Sequence, residues 1–107
     1  MKKSKDFRFV QRTGKKWKKK DFLMIYIPSS AEHSRIGLVV SKKVGNAVIR
    51  NQVKRRLREA SRHHYSKLKK KVDVVIIAFP SIVELNVEIL ERQVSSSFVS
   101  ISKRMMQ

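Results

Sequence analysis

The sequence contains no cysteine. That absence removes disulfides, thiolate metal sites and a cysteine nucleophile, and it suits a reducing compartment. Acidic residues are scarce, eight in 107. They are scattered, so no close carboxylate pair is offered for two-metal nuclease chemistry. Three glycines and two prolines spell no glycine-rich phosphate loop, and Ser41–Lys42–Lys43 does not continue into an S-x-x-K motif. Long apolar runs are missing as well. The longest, residues 72–80, is far too short to span a bilayer. Lys and Arg interrupt residues 1–20 throughout, which leaves no secretory apolar region. His63 and His64 are neighbours, and neighbours on a helix point about 100° apart. They make a poor chelate, and His33 is distant in sequence. The residues alone show no catalytic apparatus and no metal site, and we expect a cytoplasmic chain.

What is abundant is positive charge. The formal net charge is +18, from 26 Lys and Arg against eight acids. A small compact domain with that balance repels itself, so a polyanionic partner is the natural explanation. Nucleic acid comes first and an anionic membrane surface second. The charge is unevenly placed. Residues 1–20 hold ten cations against Asp6, and residues 35–71 hold thirteen against Glu59. Residues 72–107 hold three against four acids. One basic face on a fold with an ordinary back is more specific than a basic tail. At 41% hydrophobic residues the chain can build one modest core, so residues 1–107 read as a single domain. Residues 1–5 are expected to form a flexible basic arm.

Periodicity predicts the elements. Residues 6–13 suit a short helix with Phe7 and Val10 on one side, stopped by a left-handed Gly14. Residues 15–20, KKWKKK, are a charge run around Trp17, with room for one extra short strand near 15–19. Residues 21–28 read as a strand ended by Pro28. Residues 35–41 alternate, with Ile36, Leu38 and Val40 on one face. A six-residue polar loop between these two predicts an antiparallel hairpin. Asn46 is a candidate N-cap for a helix over 47–64. Residues 72–79 are apolar on both faces and belong inside the sheet. Asn86 caps a last amphipathic helix, stapled by Leu85 and Leu90, with Val87, Leu90, Val94, Phe98, Ile101 and Met105 as its apolar face. The order α-β-β-α-β-α gives an α+β class, a small two-layer sandwich with helices over one sheet face.

The helix over 47–64 sorts its residues. Ile49, Val53, Leu57, Ala60 and His64 fall within about 80° of one another. Arg50, Asn51, Lys54, Arg55, Arg58 and Arg62 cover a continuous adjoining face. Like charges four apart repel by a few tenths of a kcal/mol per pair, and Glu59 is on another side. Ordinary solvated helices mix Glu with Lys; this one hardly does. Arginine pairs with phosphate bidentately and asparagine reads base edges or sugar hydroxyls. Aromatics beside cations can stack on unpaired bases, which singles out Phe7 and Trp17. Phe22 is assigned to the core.

The stretch SKKVGNAVIRNQVKRRLRE, residues 41–59, resembles the arginine-rich signature of the bacterial ribonuclease P protein subunit. There a turn like residues 42–46 leads into R-N-x-x-K-R-x-x-R, here Arg50, Asn51, Lys54, Arg55 and Arg58. KDFRFVQRTG, FLMIYIP, RIGLVVSKK and DVVIIAFP are similar to the family's remaining segments in order. The resemblance implies an RNA-binding subunit of a ribonucleoprotein endonuclease, with no catalytic residue of its own. Ribonuclease P RNA and Mg²⁺ bound to it would supply the chemistry that removes the 5′ leader of precursor tRNA. It implies contact with the catalytic RNA through Lys42, Lys43, Asn46, Arg50, Asn51, Lys54, Arg55, Arg58 and Arg62. It implies leader contact at the positions of Phe7, Gln11 and Ile25, to which Trp17 is added. One protein per catalytic RNA and a left-handed β-α-β crossover also follow from it. Three positions depart from the family pattern: Gln52 replaces an Arg, and Gln11 and Ile25 replace aromatics.

Other readings fit less well. A ribosomal or other structural RNA-binding protein has the same charge and size, but not the signature. A membrane-surface helix needs large apolar residues such as Trp or Phe, whereas this stripe of Ile, Val, Leu and Ala is sized for a sheet.

Overall fold

The structure is a computed structural model that describes residues 4–106. Helix α1 runs Ser4–Thr13, followed by strands β1 (Lys15–Lys18), β2 (Phe22–Pro28) and β3 (Arg35–Val39). Helix α2 spans Ala47–His64, β4 spans Val72–Ala78 and α3 spans Val87–Met105. The α+β class and element order hold, with the extra strand realised as β1. Helix α1 begins at Ser4, so Ser4 and Lys5 leave the expected arm; residues 1–3 of it lie outside the described residues.

The sheet order is β1-β2-β4-β3. Strand β4 is antiparallel to β2 and parallel to β3, so the predicted hairpin of β2 with β3 does not form. The physical reason is burial. Val72, Val74, Val75 and Ile76 are all at most 1% exposed, and only the central position covers both faces of such a strand. Residues 29–34 bridge across the start of β4 instead. Ser29 N–H donates to Lys71 O at 3.0 Å. Ser34 Oγ donates to Lys70 O at 3.2 Å and accepts from Val72 N–H at 3.0 Å. Arg35 and Asp73 stand opposite each other in the parallel pair. They form a two-pronged ion pair, Nε to Oδ1 at 2.9 Å and Nη2 to Oδ2 at 2.5 Å. Burial pushes the Asp73 carboxyl up, but hydrogen bonds from Arg35 and Ser29 and the Arg35 charge prevail and hold it below its ordinary value.

Helices cover both faces, not one. Phe22, Met24, Tyr26, Val74 and Ile76 pack with Val53 and Leu57 of α2 and Val94 and Phe98 of α3. On the other face Val10 of α1 packs with Ile25 and Val75. A central strand apolar on both sides needs two covers, and α1 supplies the second. Gly14 is where α1 turns into β1, and its φ is not positive. Its requirement is space: a Cβ there would stand 2.6 Å from Ile25 Cγ2 and 2.7 Å from Val10 O.

Asn46 caps α2, its Oδ1 accepting from Ile49 N–H at 3.0 Å, and Asn86 caps α3, accepting from Glu88 N–H at 2.7 Å. The expected face of α3 is buried from Leu90 through Ile101, but Val87 is 48% exposed because it precedes the first turn that reaches the sheet. The two helices are tied at the end of α2. His63 Nδ1 and His64 Nε2 both meet Glu91 Oε1 at 3.0 Å, and Lys67 Nζ donates to Ser95 Oγ at 2.6 Å. Among the described residues no helix is long and apolar enough to cross a membrane.

Candidate nucleic-acid interface

Helix α2 is anchored by Val53, Leu57 and Ala60, each at most 3% exposed. Seating that stripe on the sheet turns the cations outward. Asn51, Arg55, Arg58 and Arg62 are exposed, and Arg50 and Lys54 are half-buried. Lys42, Lys43 and Asn46 of the preceding turn are exposed at the helix start. The structure therefore gathers all of these predicted RNA-binding residues on α2 and its leading turn. Asn46 has one role already, as the cap. Arg50 Nε is buried without a hydrogen-bond partner, a guanidinium donor with bonding capacity left over. Val48, 66% exposed, shares a shallow surface hollow with Asn51, Gln52 and Arg55. In the sequence its signal is an apolar residue off the buried stripe.

A groove runs along the free edge of β3, between α1 and α2. Its larger part, about 590 Å³, is lined by Phe7 of α1, Ile36, Gly37 and Leu38 of β3, and Lys54, Arg58, Ser61, Arg62 and Tyr65. A second part, about 400 Å³, shares Phe7, Leu38 and Lys54 and adds Arg8 and Gln11. Gly37 permits this arrangement. A Cβ there would lie 2.5 Å from Phe7 Cε1, so the ring rests on bare strand backbone. Ser61 is 5% exposed and its hydroxyl has no hydrogen-bond partner, while Tyr65 Oη donates to Ser34 O at 2.6 Å. An aromatic ring, apolar strand residues and a row of cations are the parts that hold a single strand of RNA.

The other two predicted leader positions lie elsewhere. Ile25 is 3% exposed beneath α1 and Gly14; it is core and presents no surface. Trp17 is on β1, at the opposite sheet edge, facing α3. Its parity with Met24 points it to the helix-packed side. Sequence reasoning missed Gly37, Leu38, Ser61 and Tyr65, which reach the groove only because β3 is an edge strand. Among the described residues no group of three or more His, Asp or Glu is arranged to hold a metal.

The family model of ribonuclease P matches residues 1–102. The chain belongs to the ribonuclease P protein family. It is 41% identical over 81 residues to the ribonuclease P protein component of Alkaliphilus metalliredigens, covering 76% of this chain and 73% of that protein. Identity to the component of Streptococcus agalactiae is 37% over 92 residues, 86% of this chain and 84% of the relative. Among solved structures, a Staphylococcus aureus RNase P protein mutant with defective mRNA degradation activity superposes with a TM-score of 0.85 at 29% identity, covering 96% of this chain and 86% of that one. Proteins of this family are the non-catalytic, RNA-binding subunit of a ribonucleoprotein endoribonuclease that processes tRNA. The lack of a catalytic cluster in the sequence is consistent with that division of labour, and the partner is the ribonuclease P RNA. In ribonuclease P terms, the arginine-rich signature is the outward side of α2.

Proposed function

We propose that the protein holds the ribonuclease P RNA through the outer face of α2 and the turn before it. In the same complex it holds the 5′ leader of precursor tRNA in the groove along β3. Lys42, Lys43, Arg50, Asn51, Lys54, Arg55, Arg58 and Arg62 meet RNA phosphates and sugars, with Asn46 fixing the start of the helix. Phe7 stacks on an unpaired leader base, Gln11 lies alongside, and Lys54 with Arg58 follows the leader backbone. Lys54 and Arg58 belong to both surfaces, so the leader is laid directly beside the catalytic RNA. The chemistry, with its Mg²⁺, is the RNA's. The chain positions the substrate and lowers the charge repulsion between two polyanions. One protein serves one catalytic RNA, in the cytoplasm where tRNA precursors are made.

The observation that carries this reading is the continuity of the groove with the cationic face of one helix. The test is cleavage of a precursor tRNA at low Mg²⁺ and near-physiological salt with protein alone, RNA alone, and both. Cleavage only in the combined reaction is expected. Cleavage by the protein alone after repurification overturns the division of labour. No cleavage by the combination, with the RNA active at high Mg²⁺, leaves a structural RNA-binding protein.

A further inference from the structure

Residues 15–20 place five lysines around Trp17, and β1 lies at the sheet edge opposite the groove. Three strand spacings, roughly 14 Å, separate that edge from β3. Lys15 stands opposite Tyr26 in the β1–β2 pair. Beside them a cavity of about 250 Å³ opens between Thr13, Lys15, Tyr26, Pro28, Arg104 and Met105. No acidic side chain lines it among the described residues. Tyr26 is 2% exposed, and its hydroxyl has no hydrogen-bond partner. A buried hydroxyl left that way is uncommon in a folded protein and asks for a partner.

The cations beside it are pre-arranged. The Arg104 guanidinium lies over the Trp17 ring, 4.5 Å from its centroid. Trp17 is itself fixed, its Nε1 donating to Ser97 Oγ at 3.0 Å. A guanidinium held by its face keeps in-plane N–H donors free at its edge, the geometry that phosphate oxygens match. Core packing accounts for Trp17. It does not account for a stacked arginine, a lysine and an unpaired buried hydroxyl around one cavity.

We propose that this cavity binds a backbone phosphate of RNA, with Lys15 and Arg104 supplying charge and Tyr26 Oη donating to a phosphoryl oxygen. The protein then grips RNA at both edges of its sheet. The inference rests on RNA being the partner of α2, so variants of α2 accompany the test.

The full-length protein is titrated against labelled ribonuclease P RNA, and precursor tRNA against the preassembled complex, from about 50 to about 400 mM salt. The double variant Lys15→Gln, Arg104→Gln is expected to lower the log–log salt slope by about 0.7–0.9, because one phosphate is no longer neutralised. Tyr26→Phe keeps the core volume and removes only the hydroxyl. It is expected to weaken the same interaction about three- to tenfold without changing the slope or lowering the thermal midpoint. An effect on binding of the ribonuclease P RNA assigns the phosphate to that RNA. An effect confined to the second titration assigns it to precursor tRNA, and either result supports the site. Unchanged slope and affinity in both titrations, while Arg50→Ala with Arg55→Ala weakens binding, overturns this site alone. If the α2 variants are silent too, the RNA contact assigned to α2 falls with it.

Discussion

Replacing Gly37 by Ala adds one methyl group at the point where α1 rests on β3. The new Cβ would meet Phe7 Cε1 at 2.5 Å and Cζ at 2.7 Å. Ordinary contact begins at 3.4–4 Å, so the ring must retreat by about 1 Å or rotate away. Phe7 is only half-buried, and the free side is the groove. The ring therefore swings rather than straining the sheet, and the stability loss stays below the roughly 1–3 kcal/mol of a sealed, overpacked core. The loss should appear in substrate binding. A base stacked on an aromatic ring contributes about 1–3 kcal/mol, or about 5- to 140-fold in affinity. The assay compares precursor tRNA carrying a 5′ leader with the same tRNA lacking it, each bound to the assembled ribonucleoprotein. Gly37→Ala should weaken only the leader-bearing substrate. In a Phe7→Ala background the same methyl should cost nothing more, because the ring it displaces is gone. Equal loss on both substrates, or full additivity in the double variant, would refute the idea that Gly37 exists to seat Phe7.

Leu57 is fully buried between α2 and the sheet, so Leu57→Ala should destabilise by about 2–5 kcal/mol in urea titration; a change near zero would mean α2 is seated on another face. Arg55 is exposed, and Arg55→Ala should weaken binding to ribonuclease P RNA and flatten its salt dependence, leaving the unfolding free energy within about 0.5 kcal/mol of the parent. Arg50→Ala should weaken the same binding; unchanged affinity in both variants would count against the basic face. Asp73 has a lowered pKa in the folded state, so its ion pair with Arg35 stabilises fully above the unfolded value near 3.8. That contribution fades as pH falls through the lower folded value. Asp73→Asn should therefore flatten the loss of stability on acidification below pH about 4, and an unchanged acid limb would refute it.

Helix α2 was legible to both of its ends, because its cap, its apolar stripe and its charge all agree. The central place of β4 was legible as well, from a run apolar on both faces. That same run implied a cover on each side of the sheet, a consequence first seen in the packing of Val10 against Ile25 and Val75. The partnering of β2 and β3 was not legible. A short polar loop between two strands favours a hairpin locally, and nothing within residues 21–41 reveals that a strand about thirty residues later will separate them. The same gap hid the groove: Ser61 and Tyr65 meet Phe7 only once β3 is known to be an edge. Phe7 and Gln11 share α1 and both line the groove, whereas Ile25, on the next strand but one, is buried beneath that helix, a placement only the packing of α1 on the sheet reveals.

The insertion of β4 between β2 and β3 has a consequence during translation. Residues 1–71 carry twenty-three of the twenty-six cations and all of α2, yet the strand both β2 and β3 pair with has not been made. A nascent chain stopped there has the basic helix α2 but lacks the central strand on which it is seated. The sheet closes only when residues 72–78 emerge, and α3, the near-neutral remainder, then shields the apolar side. The charge is thus translated before the strand that organises it, and the fixed basic face is completed only with the final third.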